Sequence, residues 1–306
     1  MKTTAFISIL GRPNVGKSSF LNAALGQKVS IVSDKPQTTR SRIMGVKTID
    51  DLQLVFIDTP GFHRPHNTLG ENMIKAISGG MTDVDGAILI VEAKPKFNLE
   101  KTELPAAEME IIKELEKRNL KTILGINKID LLEDKEELFS VITKYMSAYD
   151  FEAVVPFSAK NKDGVELVIE EASKFQRESM HYFPEDEITD QADSVMVGEI
   201  IREKLLRKLS NEVPHGIAVD LERFFERDTT DGQPLLCVEA SIYCEKESHK
   251  GIIIGRQGKM LKQIGIDARR DIEKFFGIKT DLKLWVKVKE DWRNRQSIIH
   301  SLGLDR

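Results

Sequence analysis

The chain has 306 residues, of which 41% are hydrophobic, enough to build cores in two domains at ~100–200 residues each. Its formal net charge of −4 hides an uneven distribution, because residues 250–306 carry 14 Lys and Arg against 7 Asp and Glu, a surplus of +7 that leaves −11 for the remainder. Two cysteines, Cys237 and Cys244, sit in one alternating segment and read as reduced packing residues, so the sequence does not support a disulfide framework or a four-ligand metal site. No apolar run approaches the ~20 residues that cross a bilayer, and no secretory leader precedes the first strand, so a cytoplasmic protein is expected. The basic end points to nucleic acid or to an anionic membrane surface.

Residues 6–10 form a short apolar run of strand type, and residues 19–25 read as a helix ending near Gly26. Between them stands Gly11-Arg12-Pro13-Asn14-Val15-Gly16-Lys17-Ser18, two glycines at fixed spacing followed by a lysine and a hydroxyl residue. Glycines let the backbone curl so that successive N–H groups converge at the positive end of a helix, which makes an anion nest. In that frame Lys17 reaches the β- and γ-phosphates of a nucleoside triphosphate and Ser18 holds Mg²⁺, while Gly11, Asn14, Val15, Gly16 and Ser19 line the phosphates. An ordinary glycine-rich turn would need neither the strand before it nor the helix after it.

The first half then alternates strand-like runs, at 5–10, 45–50, 52–58, 86–92, 121–127 and 153–157, with helix-length segments at 103–119, 134–150 and 164–180. This is the pattern of an α/β domain with a mostly parallel sheet. Two stretches, 33–43 and 61–72, read as long loops, which in such domains are usually functional. The strand at 52–58 ends in Asp58-Thr59-Pro60-Gly61. A carboxylate at the end of a parallel strand lies where open α/β sheets bind ligands, so Asp58 is placed to touch Mg²⁺ and the Gly61 N–H to sense a γ-phosphate.

Asn127-Lys128-Ile129-Asp130 closes a later apolar run. Guanine presents an N1–H and an exocyclic amine on one edge, so the Asp130 carboxylate accepts both, a donor pair that adenine lacks. Asn127 can bridge neighbouring loops and the base, and the aliphatic stem of Lys128 can cover the ring. Ser158-Ala159-Lys160 would add backbone donors to the base oxygen.

Together these segments resemble the translation-factor class of regulatory GTPases, with the nucleotide motifs in the usual order. The resemblance implies GTP and GDP as ligands, with Mg²⁺. Gln37-Thr38-Thr39-Arg40 resembles the Thr-Thr-Arg segment of bacterial GTPases of the tRNA-modifying and ribosome-assembly branch, and that match prefers Thr39 as the Mg²⁺ ligand, with Thr38 second. The metal set is then Ser18, Thr39 and Asp58, and the catalytic set Lys17, Thr39, Gly61 and Asn14. Phe62 stands where Ras-like enzymes carry a water-orienting glutamine, so slow intrinsic turnover is expected, on the order of 10⁻⁴ s⁻¹. In related GTPases an asparagine at the place of Asn14 helps to hold a potassium ion, and the resemblance carries K⁺ over as an expectation. His63 and His66 read as solvated loop residues rather than general bases.

Phe183-Pro184-Glu185-Asp186 opens an acidic, polar stretch, which divides the chain into a nucleotide domain at 1–182, a linker at 183–192 and a smaller α+β domain at 193–306. In that last domain residues 196–209 show helical spacing, and 217–225 and 236–244 alternate as strands around the turn-rich 228–232. An apolar helix over 250–254 breaks at Gly255, and a second helix starts at about Lys259. Leu261, Ile264, Ala268, Ile272 and Phe275 fall on its core face, leaving Lys259, Lys262, Arg269 and Arg270 for other faces. Residues 283–289 alternate like a half-buried strand with lysines on the open side; Trp285 reads as core.

This stretch resembles a KH domain of the bacterial ribosomal type, whose Gly-x-x-Gly loop lets the backbone of single-stranded RNA lie close against the protein. Carried over, the RNA-binding residues are Ile254, Gly255, Arg256, Gln257, Gly258, Lys259 and Lys262. A nucleotide domain followed by this domain, with Glu212-Val213-Pro214-His215 preceding the first strand of the second domain, resembles a bacterial family of ribosome-assembly GTPases. That resemblance implies a monomeric, GTP-controlled factor that binds the 3′ end of small-subunit rRNA and acts on the 30S subunit. A membrane-associated regulatory GTPase, or a peripheral inner-membrane fraction of the same protein, stays open on the basic end. A non-enzymatic RNA adaptor is the other alternative, disfavoured because Lys17, Ser18, Asp58 and Asp130 are all intact.

Overall fold

The structure, a computed structural model, describes residues 1–35, 37–61, 67–94, 103–210 and 213–305. Phe62, His63, His66 and Glu212, singled out above, lie outside the described residues. The chain divides into two units, the first formed by the described residues of 1–30, 39–65 and 73–190, the second by those of 31–38, 66–72 and 191–306.

The first unit is built on a sheet of strands β1 (Thr3–Leu10), β2 (Ile43–Ile49), β3 (Leu52–Asp58), β4 (Gly86–Glu92), β5 (Thr122–Asn127) and β6 (Ala153–Pro156), in the order β2-β3-β1-β4-β5-β6. Among these six strands all pairings are parallel except that of β2, which runs antiparallel along β3 at the edge. The central strands read Gly-Ala-Ile-Leu-Ile-Val-Glu and Thr-Ile-Leu-Gly-Ile-Asn, near-continuous apolar runs that suit a sheet covered on both faces. On one face α1 (Lys17–Leu25) and α5 (Val165–Ser173) close a core in which Phe20 meets Phe56 and Phe157 edge-on, with ring centroids 6.0 and 5.5 Å apart. On the other, Ile111, Ile112 and Leu115 of α3 (Ala106–Arg118) and Val141 and Tyr145 of α4 (Lys135–Met146) cover Leu89, Val91, Leu124 and Ile126. Helix α2 (Thr68–Gly80) lies between β3 and β4 in the chain. Because β1, β3, β5 and β6 run parallel, the segments that follow them emerge along one edge of the sheet, and these carry the nucleotide motifs.

Several sequence expectations give way here. The stretch 61–72, read as loop, contains the start of α2. The helix expected over 164–180 stops at Ser173, since Phe175 packs where a Cβ on Gly86 would stand and Arg177–Glu178 form a short strand, β7, antiparallel to Thr3 and Thr4. Helix α4 starts behind Asp134, whose carboxylate accepts the Glu136 N–H, and ends before 150; α3 starts only after Pro105.

The second unit contains α6 (Asp193–Lys208), β8 (Ala218–Asp228), β9 (Pro234–Cys244), α7 (Glu247–Ile254), α8 (Lys259–Phe276), β10 (Lys279–Val288) and α9 (Gln296–Ser301). Strands β8 and β9 form an antiparallel hairpin, and β10 returns parallel to β9. One sheet face meets α6, α7 and α8 in a core of Met196, Ile200, Ile201, Leu205, Val238, Ile242, Ile253, Ile264, Ala268 and Ile272. Cys237 and Cys244 are both buried and free. Trp285 is not core. Leu284 and Val286 pack on the core, so the two-residue period of the strand puts Trp285 on the lysine side, 40% exposed. Trp292 is the buried indole, its Nε1–H donating to the Gly216 carbonyl at 2.9 Å.

The short segment 31–38 belongs to this second unit and is tied to α6. Glu203 accepts the Val32 N–H at 3.1 Å, Arg207 donates to the Val32 carbonyl at 3.1 Å, and the buried Arg202 donates to the Thr38 carbonyl.

Candidate nucleotide site and Gly-x-x-Gly loop

The phosphate loop leaves β1 at Leu10 and enters α1 at Lys17. Gly16 has φ 102°, and a Cβ there would lie 2.1 Å from Asn127 Nδ2, so the position requires glycine on both counts. It caps α1 without a side-chain hydrogen bond, so no side-chain cap competes with an anion for the first backbone N–H groups of the helix. Asn14 is exposed on the bend at φ 65° and Val15 is buried. Lys17, only 6% exposed, donates from Nζ to the Gly11 and Arg12 carbonyls at 3.1 and 3.0 Å. Burial lowers its ammonium to about 8 against the opposing attraction of Asp58.

At the end of β3, Asp58 is fully buried. Its Oδ2 accepts Ser18 Oγ at 2.7 Å, Ser30 Oγ at 3.4 Å and Thr39 Oγ1 at 3.5 Å, and the Ser18 and Thr39 hydroxyls lie 3.0 Å apart. Oδ1 is buried with no hydrogen-bond partner. Burial raises the Asp58 carboxyl, while Lys17 and the three hydroxyls pull the other way. Two hydroxyls and a carboxylate with an unsatisfied buried oxygen form a hard, all-oxygen donor set, the chemistry that Mg²⁺ selects, so the residues fit that ion. The structure distinguishes the two threonines: Thr39 joins this cluster, whereas Thr38 donates to the Lys35 carbonyl at 2.6 Å. Ser30, which no motif marks, is a fourth member. It is held by Asn22, whose side chain accepts the Val29 and Ser30 N–H groups and donates to the Ser30 carbonyl. Gly61 lies against the phosphate loop, since a Cβ there would be 2.7 Å from Pro13 Cα.

The base-reading segments are stitched to the same loop. Asn127 Nδ2 donates to the Val15 carbonyl at 2.8 Å, while its Oδ1 accepts the Lys128 N–H at 2.7 Å and the Ala159 N–H at 3.0 Å. Lys128 Nζ donates to the Asn14 carbonyl at 2.8 Å and to Glu92. Ser158, buried, donates to Asp130 Oδ1 at 2.6 Å and aims that carboxylate; Lys160 is exposed beside them. Glu92, Glu108 and Tyr145 surround the loop without belonging to any recognised segment, and no sequence signal marks them; Arg12 stands in the loop itself.

In the second unit α7 ends at Gly255, and the backbone passes Arg256 and Gln257 before α8 begins behind Gly258. Positive φ values at Gly255 (71°), Gln257 (51°) and Gly258 (73°) fold the four residues into a tight outward bend. Ile254 is half-buried, and Arg256, Gln257, Lys259 and Lys262 are exposed. The first turn of α8 carries no acidic residue, so an anionic strand laid along it meets cations and the helix's positive end.

Fold and site together define a phosphate-loop GTPase domain joined to a KH domain. Residues 6–128 match the family described as 50S ribosome-binding GTPase, and residues 212–293 match the KH domain family. Over 300 residues the chain is 46% identical to GTPase Era of Ruminiclostridium cellulolyticum, covering 98% of this chain and 97% of that one, and over 303 residues it is 44% identical to GTPase Era of Clostridioides difficile, covering 99% of each. A crystal structure of Era in complex with MgGDPNP and nucleotides 1506–1542 of 16S ribosomal RNA superposes with a TM-score of 0.92 at 32% identity, and a point variant of Aquifex aeolicus Era bound to GDP·AlF4⁻ with 0.91 at 33%, each over 100% of both chains. The chain belongs to the Era family of GTPases. Among the described residues no helix is long and apolar enough to cross a membrane.

Proposed function

We propose that the protein is a GTP-hydrolysing switch that holds the 3′ end of small-subunit rRNA in its KH domain during assembly of the 30S subunit, acting as a monomer in the cytoplasm. The observation that carries this reading is the full-length likeness to an Era structure that contains both MgGDPNP and 16S rRNA nucleotides, together with intact counterparts of both sites in one chain. Lys17 and the N–H groups of Gly16, Lys17, Ser18 and Ser19 bind the phosphates, and Ser18, Thr39 and Asp58 hold the cation. A bound Mg²⁺ supplies charge neutralisation at the β- and γ-phosphates. Asp130, aimed by Ser158, reads the guanine edge; Asn127 and Ala159 fix the loops around it. Asn14, on the outer bend, is the residue a monovalent cation would use; equal turnover in sodium and potassium buffers would remove that role.

Thr39 and Gly61 sense the γ-phosphate, and hydrolysis releases the segments that carry them. Support for a link to RNA comes from 31–38, whose backbone is held at Val32 and Thr38 by Arg202, Glu203 and Arg207 of α6. If GTP favours the RNA-competent state, RNA tightens GTP by the same factor, typically ~5–150-fold. The test is fluorescence anisotropy with a labelled oligonucleotide of the 16S rRNA 3′ end, in GDP and in a non-hydrolysable GTP analogue, beside phosphate release with Mg²⁺. Tighter binding with the analogue is expected. No RNA affinity in either state would sink the RNA reading, and equal affinity in both would remove the switch.

A further inference from the structure

The phosphate loop is pinned from outside at three places. Asn127 holds the Val15 carbonyl and Lys128 the Asn14 carbonyl, and both are base-recognition residues. The third pin, Glu108, belongs to no nucleotide motif, and it holds the loop's own Arg12. Arg12 donates from Nε to Glu108 Oε1, and Tyr145 donates its hydroxyl to Glu108 Oε2 at 2.6 Å. Glu108 sits in the first turn of α3 and is 0% exposed, Tyr145 of α4 is equally buried, and the Arg12 side chain is 23% exposed.

Three features make this more than core packing. A carboxylate taken wholly out of water is costly unless paired and hydrogen-bonded, and each Glu108 oxygen accepts a hydrogen bond. The donor from the loop is an arginine whose own carbonyl accepts Lys17 Nζ, so the chain of contacts runs from α4 through Glu108 and Arg12 to the phosphate-binding lysine. The first turn of α3 also favours a carboxylate through the helix dipole.

We propose that Glu108, oriented by Tyr145, is a positioning residue that holds the phosphate loop in its nucleotide-gripping shape through Arg12. The proposal rests on the phosphate-site roles assigned above. It predicts that the clamp governs how long nucleotide stays bound. Loss of one charge-assisted hydrogen bond is felt at the loop as a faster nucleotide release, with kcat at saturating GTP little changed, because the clamp touches neither the reacting atoms nor the cation cluster.

The experiment measures release of N-methylanthraniloyl-GDP from the full chain in Mg²⁺, chased with excess GDP. Arg12→Gln and Glu108→Gln are each expected to speed release about tenfold, equivalent to ~1.4 kcal/mol, and the double variant no more than either single, since they break one contact. Arg12→Lys should recover part of the loss. Tyr145→Phe, which removes one oxygen, should give roughly threefold and nothing further on top of Arg12→Gln. Release within about twofold of the parent for a folded Arg12→Gln, or multiplying effects in the double variant, overturns the clamp. If Glu108→Gln does not fold, the Arg12→Gln and Tyr145→Phe pair decides on the same criteria. A parent chain that binds no labelled GDP would instead overturn the phosphate-site assignment itself.

Discussion

At Gly16 an added Cβ would lie 2.1 Å from Asn127 Nδ2, whereas at Gly258 it would meet nothing within 4 Å. Both glycines sit at positive φ ahead of a helix, and both helices start without a side-chain cap. The loops are otherwise unlike. The phosphate loop is enclosed by the buried Glu108 and Asn127 and by the half-buried Lys128, and closed over by Gly61, so its shape is fixed by partners on several sides. The Gly-x-x-Gly bend leaves Arg256 and Gln257 in solvent, and only at Gly255, where an added Cβ would lie 2.6 Å from Met260 Cβ, does a glycine of the bend stand close to a neighbour. A small, densely charged ligand needs a cradle that is already the right size, because each misplaced donor weakens every contact at once. A polymer's backbone needs an approachable surface and supplies the opposing wall itself.

The sharpest way to break this contrast is at Lys17. Lys17→Ala should lower GTP affinity by at least about a hundredfold, ~2.7 kcal/mol, measured by calorimetry with Mg²⁺, while leaving RNA binding in place. An equal loss at both sites would mean that the loops are not separable. Next comes Asp130→Asn, expected to weaken GTP by roughly 10–100-fold and to relax preference towards xanthine nucleotides; competition titration with the two triphosphates reads it. Gly258→Asp should cost RNA affinity roughly tenfold by bulk and like charge, with basal phosphate release unchanged, and normal RNA binding by that variant would remove the bend from the RNA site. The smallest effect is reserved for Trp285→Ala. With the indole half-exposed on the lysine face, the change should cost about 1 kcal/mol in urea unfolding against ~3–5 for the buried Trp292→Ala.

What is legible in the sequence follows the same division. Gly11 to Ser18, the segment ending in Asp58, and Asn127 to Asp130 are legible because ligand chemistry dictates their residue types and the ends of parallel strands dictate their place. Helix α2 is not: Gly70, Gly79 and Gly80 are poor helix formers, and its stability comes from burial of Leu69, Met73 and Ile77 at four-residue spacing. The overlong expectation for α5 has a different origin, since helical periodicity carries no information on β7 pairing at the sheet edge. Hydrophobicity alone assigns Trp285 to the core, although the two-residue period of its own strand sets it among lysines. Ser30 and Glu108 are beyond any pattern, for a serine in a loop and one glutamate among several on a charged helix become distinctive only when their surroundings dry.

Asn127 binds its amide nitrogen to the loop that grips phosphate and its amide oxygen to both segments that read the purine. Mechanically, this single carboxamide is a shared hinge pin. A disturbance at either end of the nucleotide is felt at the other without any travelling rearrangement, and a change at this position would blunt selectivity and residence time together, leaving evolution no way to adjust one of them alone from there.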